Sequence, residues 1–374
     1  MRKSFKLITI LGIPVEINYS WFIIFALIVY TLSVGYFPLV NPDQGAAAHW
    51  LMGIVAALLL FICLLAHELS HSYVAKLNGL SISGITLFVF GGVAHMEKEP
   101  ASPEVELKMA AAGPLMSFCL GTLFWLTSLG LNYIGMVRSL SPIADYLTLL
   151  NFGVGIFNLI PGFPLDGGRI LRALLWKFSH NLRQATLIAS TFGKTFAYLM
   201  IGLGFLGLIT GNILSGVWFI FLGLFLQEAA ESSYRQVVMK KVLAGARIKN
   251  LMSRNVIVVP ATLTLEKLVE EYFFKYRYTS FPVVEDDTLL GLVTFHAVKD
   301  IPREEWPTAS ARDILIPINP ELLAHEQEDL MEAMVKLARN GVGRLLVVED
   351  SKLIGILSQR DILRLFEFKE AIGE

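Results

Sequence analysis

The chain has 374 residues, 54% of them hydrophobic, and a mean hydropathy of +0.59, well above the roughly 45–50% apolar usage of water-soluble domains. A net charge of -1 gives no basic excess that would suggest a nucleic-acid partner. The two cysteines, Cys63 and Cys119, lie in apolar runs, which argues against a disulfide framework.

Charge is unevenly placed along the chain. Residues 1–234 hold 12 of the 31 Lys and Arg and 11 of the 32 Asp and Glu, and the remaining 140 residues hold the rest. That contrast predicts a lipid-embedded domain at 1–234, a linker at 235–247 and a water-soluble domain beyond it. The start, MRKSFKLITILGIPVEI, is basic and apolar but has no small-residue cleavage site, and Pro14 interrupts it, so it does not read as a cleaved signal peptide.

A hydrocarbon core about 30 Å thick takes about 20 apolar residues per helix. Six stretches offer this, at 19–40, 50–77, 107–131, 146–161, 188–210 and 213–230, the fourth being short. Arg2, Lys3 and Lys6 precede the first span, Lys98 and Lys108 separate the second from the third, Arg169, Arg172, Lys177 and Arg183 follow the fourth, and Arg235, Lys240, Lys241 and Arg247 follow the sixth. The alternate connections hold only Arg138. Because positive charge stays on the cytoplasmic side, a multi-pass cell-membrane protein with both termini and its C-terminal domain in the cytoplasm is expected.

Between the second and third spans, residues 81–96 (SISGITLFVFGGVAHM) are rich in β-branched and aromatic residues with a Gly91-Gly92 break, a β-hairpin pattern. Strand edges are not tolerated against lipid, so this hairpin must face protein or water. It either offers an edge to an extended peptide or forms a re-entrant plug.

The second span ends in His67-Glu68-Leu69-Ser70-His71. The helical period puts imidazoles at i and i+4 on one face, where they can share one Zn²⁺, and Glu68 beside them can take a proton from a zinc-bound water. Two satisfied core histidines would be the bland alternative, but ionisable groups at membrane depth cost about 2.5–3.5 kcal/mol on insertion scales, a cost that a cation offsets. A catalytic zinc needs a third protein ligand. Asp166, in the Pro- and Gly-broken stretch NLIPGFPLDGGR at 158–169, is the better candidate and His95 the rival; Asp166 could instead cap the amphipathic helix 169–178. Asn158 reads either as a helix-terminating amide or as a donor to a tetrahedral intermediate.

The soluble part repeats itself: 280–298 aligns with 344–362 at an offset of 64, pairing Val283 with Val347, Glu285 with Glu349, Leu289 with Leu353 and Gly291 with Gly355. Each copy reads as a helix, a strand, an acidic turn and a second strand, at 248–306 and 307–374.

The combination of HELSH, FGGVAHMEKEP, AAAGPLMS at 110–117 and NLIPGFPLDGGR resembles the site-2 protease family of intramembrane metalloproteases, in the branch with a C-terminal CBS domain pair. The resemblance covers essentially the whole chain, and no PDZ-like insert interrupts it. It implies a polytopic α-helical membrane protein of about six spans with a small β-hairpin, followed by an α/β CBS module. It also implies one Zn²⁺ held by His67, His71 and Asp166, with Glu68 as general base. The reaction it implies is cleavage of a membrane-spanning substrate's transmembrane segment to release a regulatory protein. CBS pairs typically bind adenine nucleotides; Ser358-Gln-Arg-Asp361 resembles the ribose-contacting pattern, while Thr294-Phe-His-Ala297 in the first copy lacks the acid. A structural role, or homodimerisation through the CBS domains, stands beside nucleotide binding. The competing function from another class is a CBS-gated metal or ion transporter in which the same four residues line an ion path.

Overall fold

The computed structural model describes all residues except 1–3, 90, 97–99, 135–139, 244, 287, 351 and 372–374. The orientation markers Arg2, Lys3, Lys98 and Arg138 lie outside the described residues. The chain forms two compact units, 1–235 and 236–374.

The first unit begins with two strands, β1 (Ser4–Ile10) and β2 (Ile13–Asn18), which form an antiparallel hairpin. Its two-residue turn has φ of 53° at Leu11 and 75° at Gly12, the backbone of a tight hairpin. The alternation Ile13, Val15, Ile17, each buried, is the period-2 signal of a half-buried strand. The basic start had masked it. β2 pairs in parallel with β3 (Ile82–Phe88), which pairs with β4 (Gly91–Met96), giving a sheet of order β1-β2-β3-β4. The expected hairpin at 81–96 is therefore half of a larger sheet, with β4 at its edge.

Among the described residues five helices are long and apolar enough to cross a membrane: α1 (Ser20–Val40), α2 (Ala46–Leu77), α3 (Pro103–Ile134), α6 (Leu182–Ile209) and α7 (Ile213–Leu243). Helix α1 widens into a π-helical stretch at Thr31–Tyr36. The remaining expected span, 146–161, falls in α4 (Ser141–Asn158), which is short and carries Asp145, Asn151 and Asn158; packing against α2 and α3, rather than apolar composition, places it in the bundle. Helix α5 (Asp166–Ser179) is amphipathic and packs on α3 and α6. Helices α2, α6 and α7 extend beyond the stretches expected from hydropathy, because a helix continues past the lipid boundary for as long as its own hydrogen bonds and packing hold it.

In the second unit the two repeats give the same hairpin twice. Strands β6 (Ser280–Glu285) and β7 (Thr288–Thr294) break register between Val283 and Val284, and β10 (Arg344–Glu349) and β11 (Lys352–Ser358) break it between Val347 and Val348, 64 residues on. Both acidic turns hold an aspartate at positive φ, Asp286 and Asp350. Short strands β5 (Val259–Pro260) and β8 (Ile316–Pro317) complete the first sheet in the order β5-β6-β7-β8, and β9 (Leu323–Ala324) the second, β11-β10-β9. Helix α8 (Phe295–Lys299) follows the first hairpin, α9 (Leu330–Arg339) precedes the second, and α10 (Gln359–Ala371) follows it. Leu265, Leu268, Phe281, Val283 and Val293 are buried together in the first copy, each apolar side chain contributing about 1.5–3 kcal/mol.

Candidate metal centre

Helix α2 presents His67 and His71 on one face, and both are buried. Helix α5 brings the carboxylate of Asp166 to the same point. Oδ2 of Asp166 lies 3.2 Å from His67 Nε2 and 3.1 Å from His71 Nε2, and the two Nε2 atoms are 3.2 Å apart. Ligand atoms about 2.0–2.1 Å from a tetrahedral zinc stand roughly 3.3 Å from one another, so this triangle matches one face of such a coordination shell.

Other observations favour a cation at this point. His71 Nδ1 is 2.7 Å from the Met109 carbonyl oxygen, which can only accept, so Nδ1 donates and the lone pair of a neutral ring sits on Nε2. His67 Nδ1 is held by Ser117 Oγ at 2.8 Å. These contacts from α3 fix both ring orientations, as outer partners do for metal-binding histidines. On α3, Gly113 faces the triangle, and a methyl group there would collide with both Nε2 atoms. The space that a side chain would fill is kept open where an ion would lie.

Asp166 is not a helix cap. The cap residue is Leu165, Asp166 is the first helical residue, and its side chain turns to the imidazoles. Its approach is set by the loop before it: Phe163 N–H donates to Ala189 O at 3.2 Å, and the Phe163 backbone sits so close to Gly193 that any side chain there would strike it. Helix α5 is tied to α3 by a buried ion pair, Arg172 with Glu106, and the Arg172 guanidinium also lies 5.1 Å above the Phe163 ring. The rival ligand His95 is exposed on β4 and hydrogen-bonds Thr86 Oγ1 at 3.0 Å. His49 lies near the start of α2, bonded to Asn41 O.

A cavity of about 330 Å³ opens over the triangle. Glu68 lines it, with room made by Gly92, whose bare backbone faces the Glu68 side chain. It is also lined by β4, from Gly91 to Ala94, and by Asn158 at the end of α4, Pro164, Arg169 and Phe225. Sequence reasoning missed Ser117, Gly113, Arg169 and the Glu106–Arg172 pair. A charged residue beside an apolar span was the available signal for Glu106, and the G-x-x-x-S spacing at 113–117 put Gly113 and Ser117 on one face.

In the second unit Ser358 and Asp361 meet at the start of α10, where Ser358 N–H and Oγ–H donate to Asp361 Oδ2 at 2.9 and 2.6 Å. Both line a cavity of about 250 Å³ together with Tyr278, Arg344, Arg360 and Arg364. Burial lowers the pKa of the Arg344 guanidinium from its ordinary value, opposed by the Asp361 carboxylate. In the first copy Thr294 caps α8 through Ala297 N–H, with no acid at the matching position.

The family model of peptidase family M50 matches residues 55–140 and 135–202, and that of the CBS domain matches 248–304 and 311–367. The chain is 34% identical to a zinc metalloprotease of Methanocaldococcus jannaschii over 377 residues, covering 100% of both chains. It is 31% identical to Rip3 of Mycobacterium tuberculosis, which is named as a zinc metalloprotease, over 98% of this chain and 94% of that protein. The solved site-2 protease of Methanocaldococcus jannaschii aligns with 62% of this chain and 95% of its own at 35% identity, with a TM-score of 0.43.

Proposed function

The chain belongs to peptidase family M50, the site-2 proteases, as a multi-pass membrane zinc metalloprotease with a CBS pair, and we propose that it hydrolyses a peptide bond within the transmembrane segment of a membrane-tethered regulatory protein. The observation that carries this reading is the convergence of His67, His71 and Asp166 at 3.1–3.2 Å beside Glu68. The transporter reading is set aside, because the relatives that match along the whole chain carry zinc metalloprotease names.

Under this reading His67 Nε2, His71 Nε2 and Asp166 Oδ2 hold the ion, and Ser117 and Met109 O hold the two rings from behind. When bound, zinc lowers the pKa of a water to about 7 and polarises the scissile carbonyl. Glu68 accepts the proton of that water and returns it to the leaving amine. A substrate helix hides its amides in its own hydrogen bonds and must unwind before attack. The sheet leaves β4 as an edge lining the cavity, so the unwound segment adds there as a further strand, its backbone paired and its scissile peptide brought beside the triangle. Asn158, which lines the same cavity, supplies an amide donor for that segment.

The Lys and Arg distribution supports a cytoplasmic position for both termini and the CBS pair. At the CBS pair, the cavity holding Ser358, Asp361 and three arginines suits an adenine nucleotide, the carboxylate facing a ribose and the guanidinium groups facing phosphate.

Glu68→Gln should cut cleavage of a single-span substrate by about 10²–10⁴-fold or more while leaving close to one zinc per chain, whereas His67→Ala and Asp166→Ala should lose both. The test is cleavage in detergent together with metal content by mass spectrometry. Wild-type turnover by Glu68→Gln would sink the mechanism.

A further inference from the structure

Arg169 lies three residues after Asp166, in the first turn of α5 and on the same face. It is half-buried and lines the cavity that holds Glu68 and the three convergent ligand atoms. Among the described residues its guanidinium has no ion-pair or hydrogen-bond partner. Asp166 does not neutralise it, because that carboxylate is turned to His67 and His71. Arg172, one turn on, shows what a purely structural arginine looks like here: it is buried, paired with Glu106 and stacked on Phe163. Arg169 has none of these attachments and lines the cavity beside Glu68.

A partly desolvated guanidinium with no hydrogen-bonded partner is costly to keep; the Glu68 carboxylate in the same cavity attracts it and offsets part of that cost, yet leaves its N–H donors unused. β4 and Arg169 line the same cavity, so a peptide strand added to the β4 edge brings the backbone oxygens that β4 does not use into the space that Arg169 lines. As the attacking oxygen bonds to the carbonyl carbon, the carbonyl π electrons move onto its oxygen and negative charge develops there. A fixed guanidinium is suited to that charge: it remains protonated throughout and presents several N–H donors in one plane.

We propose that Arg169 is a catalytic residue that hydrogen-bonds the carbonyl oxygen of the scissile peptide as it becomes an oxyanion. The proposal rests on the protease reading above. Charge is conserved within the step: Glu68 takes the proton of the attacking water, the oxyanion forms against Arg169, and collapse re-forms the carbonyl while the C–N bond breaks and the amine leaves with the proton from Glu68.

The experiment is steady-state cleavage in detergent by Arg169→Ala and Arg169→Lys. It is paired with zinc content and with calorimetric affinity for a phosphinic peptide, whose tetrahedral centre mimics the intermediate, and for the uncleaved substrate segment in a Glu68→Gln background. Arg169→Ala should keep one zinc per chain, lower kcat by about 10²–10³-fold with little change in KM, and weaken the phosphinic peptide by a similar factor. Affinity for the uncleaved segment should stay the same. Arg169→Lys should recover only part of the loss, because a point charge cannot reproduce the planar fork. Loss of zinc together with activity would make Arg169 a support of the metal site, a rise in KM alone would make it a substrate anchor, and an unchanged kcat would leave it without a role; each overturns the proposal. Should Arg169→Ala fail to fold, Arg169→Lys decides alone: wild-type kcat refutes, and a loss of tenfold or more with zinc retained supports. Glu68→Gln at wild-type turnover would sink the underlying reading instead, so the two failures are distinguishable.

Discussion

The two units bury opposite kinds of residue. In the membrane unit Leu199, Leu203 and Phe205 of α6 and Leu214 and Trp218 of α7 are exposed, while His67, His71, Glu106, Asn151 and Arg172 are buried. In the C-terminal unit Val283, Val293, Leu345 and Val347 are buried, and the only buried polar residues among those described are Ser280 and Ser358. Where lipid is the solvent, exposed apolar surface carries no message, and each buried polar group stands out against the cost of keeping it. Where water is the solvent, the apolar core is ordinary, and a ligand site has to be sought at the rim among charged side chains.

The sharpest way to break this comparison is all-or-none. In a chain carrying Cys119→Ala, a cysteine at exposed Asp43, between α1 and α2, should react with an impermeant thiol reagent in intact cells. One at exposed Lys352, in β11, should react only after lysis. Labelling of both from outside would overturn the orientation.

The next effect is energetic. Arg172 and Glu106 are a buried pair joining α3 to the helix that begins at Asp166. Arg172→Leu should cost about 3–5 kcal/mol, since a buried carboxylate loses its cation, and should lower the zinc content because α5 loosens. Adding Glu106→Leu should return much of that stability. Both variants melting at the wild-type midpoint in detergent would show that the pair does not hold α5.

Much of this was legible in the sequence. His67, Glu68 and His71 are fixed by helical spacing alone, and the two CBS copies follow from the 64-residue repeat. The hairpin at 81–96 was visible as β-branched residues around a Gly-Gly break. Residues 4–18 were not read as strands, because their alternation is carried mainly by Ile13, Val15 and Ile17 beside a basic start, and because β2 finds a partner in β3 nearly 70 residues later. Position in three dimensions decided the rest. His95 and Asp166 were both eligible as third ligand by composition, and only the path of the 159–165 loop, pinned on α6, brings one of them to the imidazoles. Gly113 and Ser117 were present in a motif whose direction in space the sequence does not give.

The smallest expected effect belongs to the water-facing unit, and it separates a cap from a ligand. Asp361 accepts from both Ser358 N–H and Ser358 Oγ–H, which is the geometry of a helix start and needs no nucleotide. Removing it should cost about 1 kcal/mol of stability through the cap alone. If the carboxylate also faces a ribose, the sugar hydroxyls compete with Ser358 for its oxygens, and Ser358→Ala should free Asp361 rather than disable it. The full chain in detergent, titrated calorimetrically with ATP, ADP and AMP, should therefore bind at about one site. Asp361→Ala should weaken that binding about tenfold or more, consistent with the loss of about 1.5–3 kcal/mol from charge-assisted hydrogen bonds, and Ser358→Ala should weaken it less. Arg344, Arg360 and Arg364 line the same cavity, so affinity should also rise with the number of phosphates. No heat with any of the three nucleotides, or an unchanged Kd in Asp361→Ala, would reduce this pair to a helix cap and leave the CBS module a structural or dimerising element.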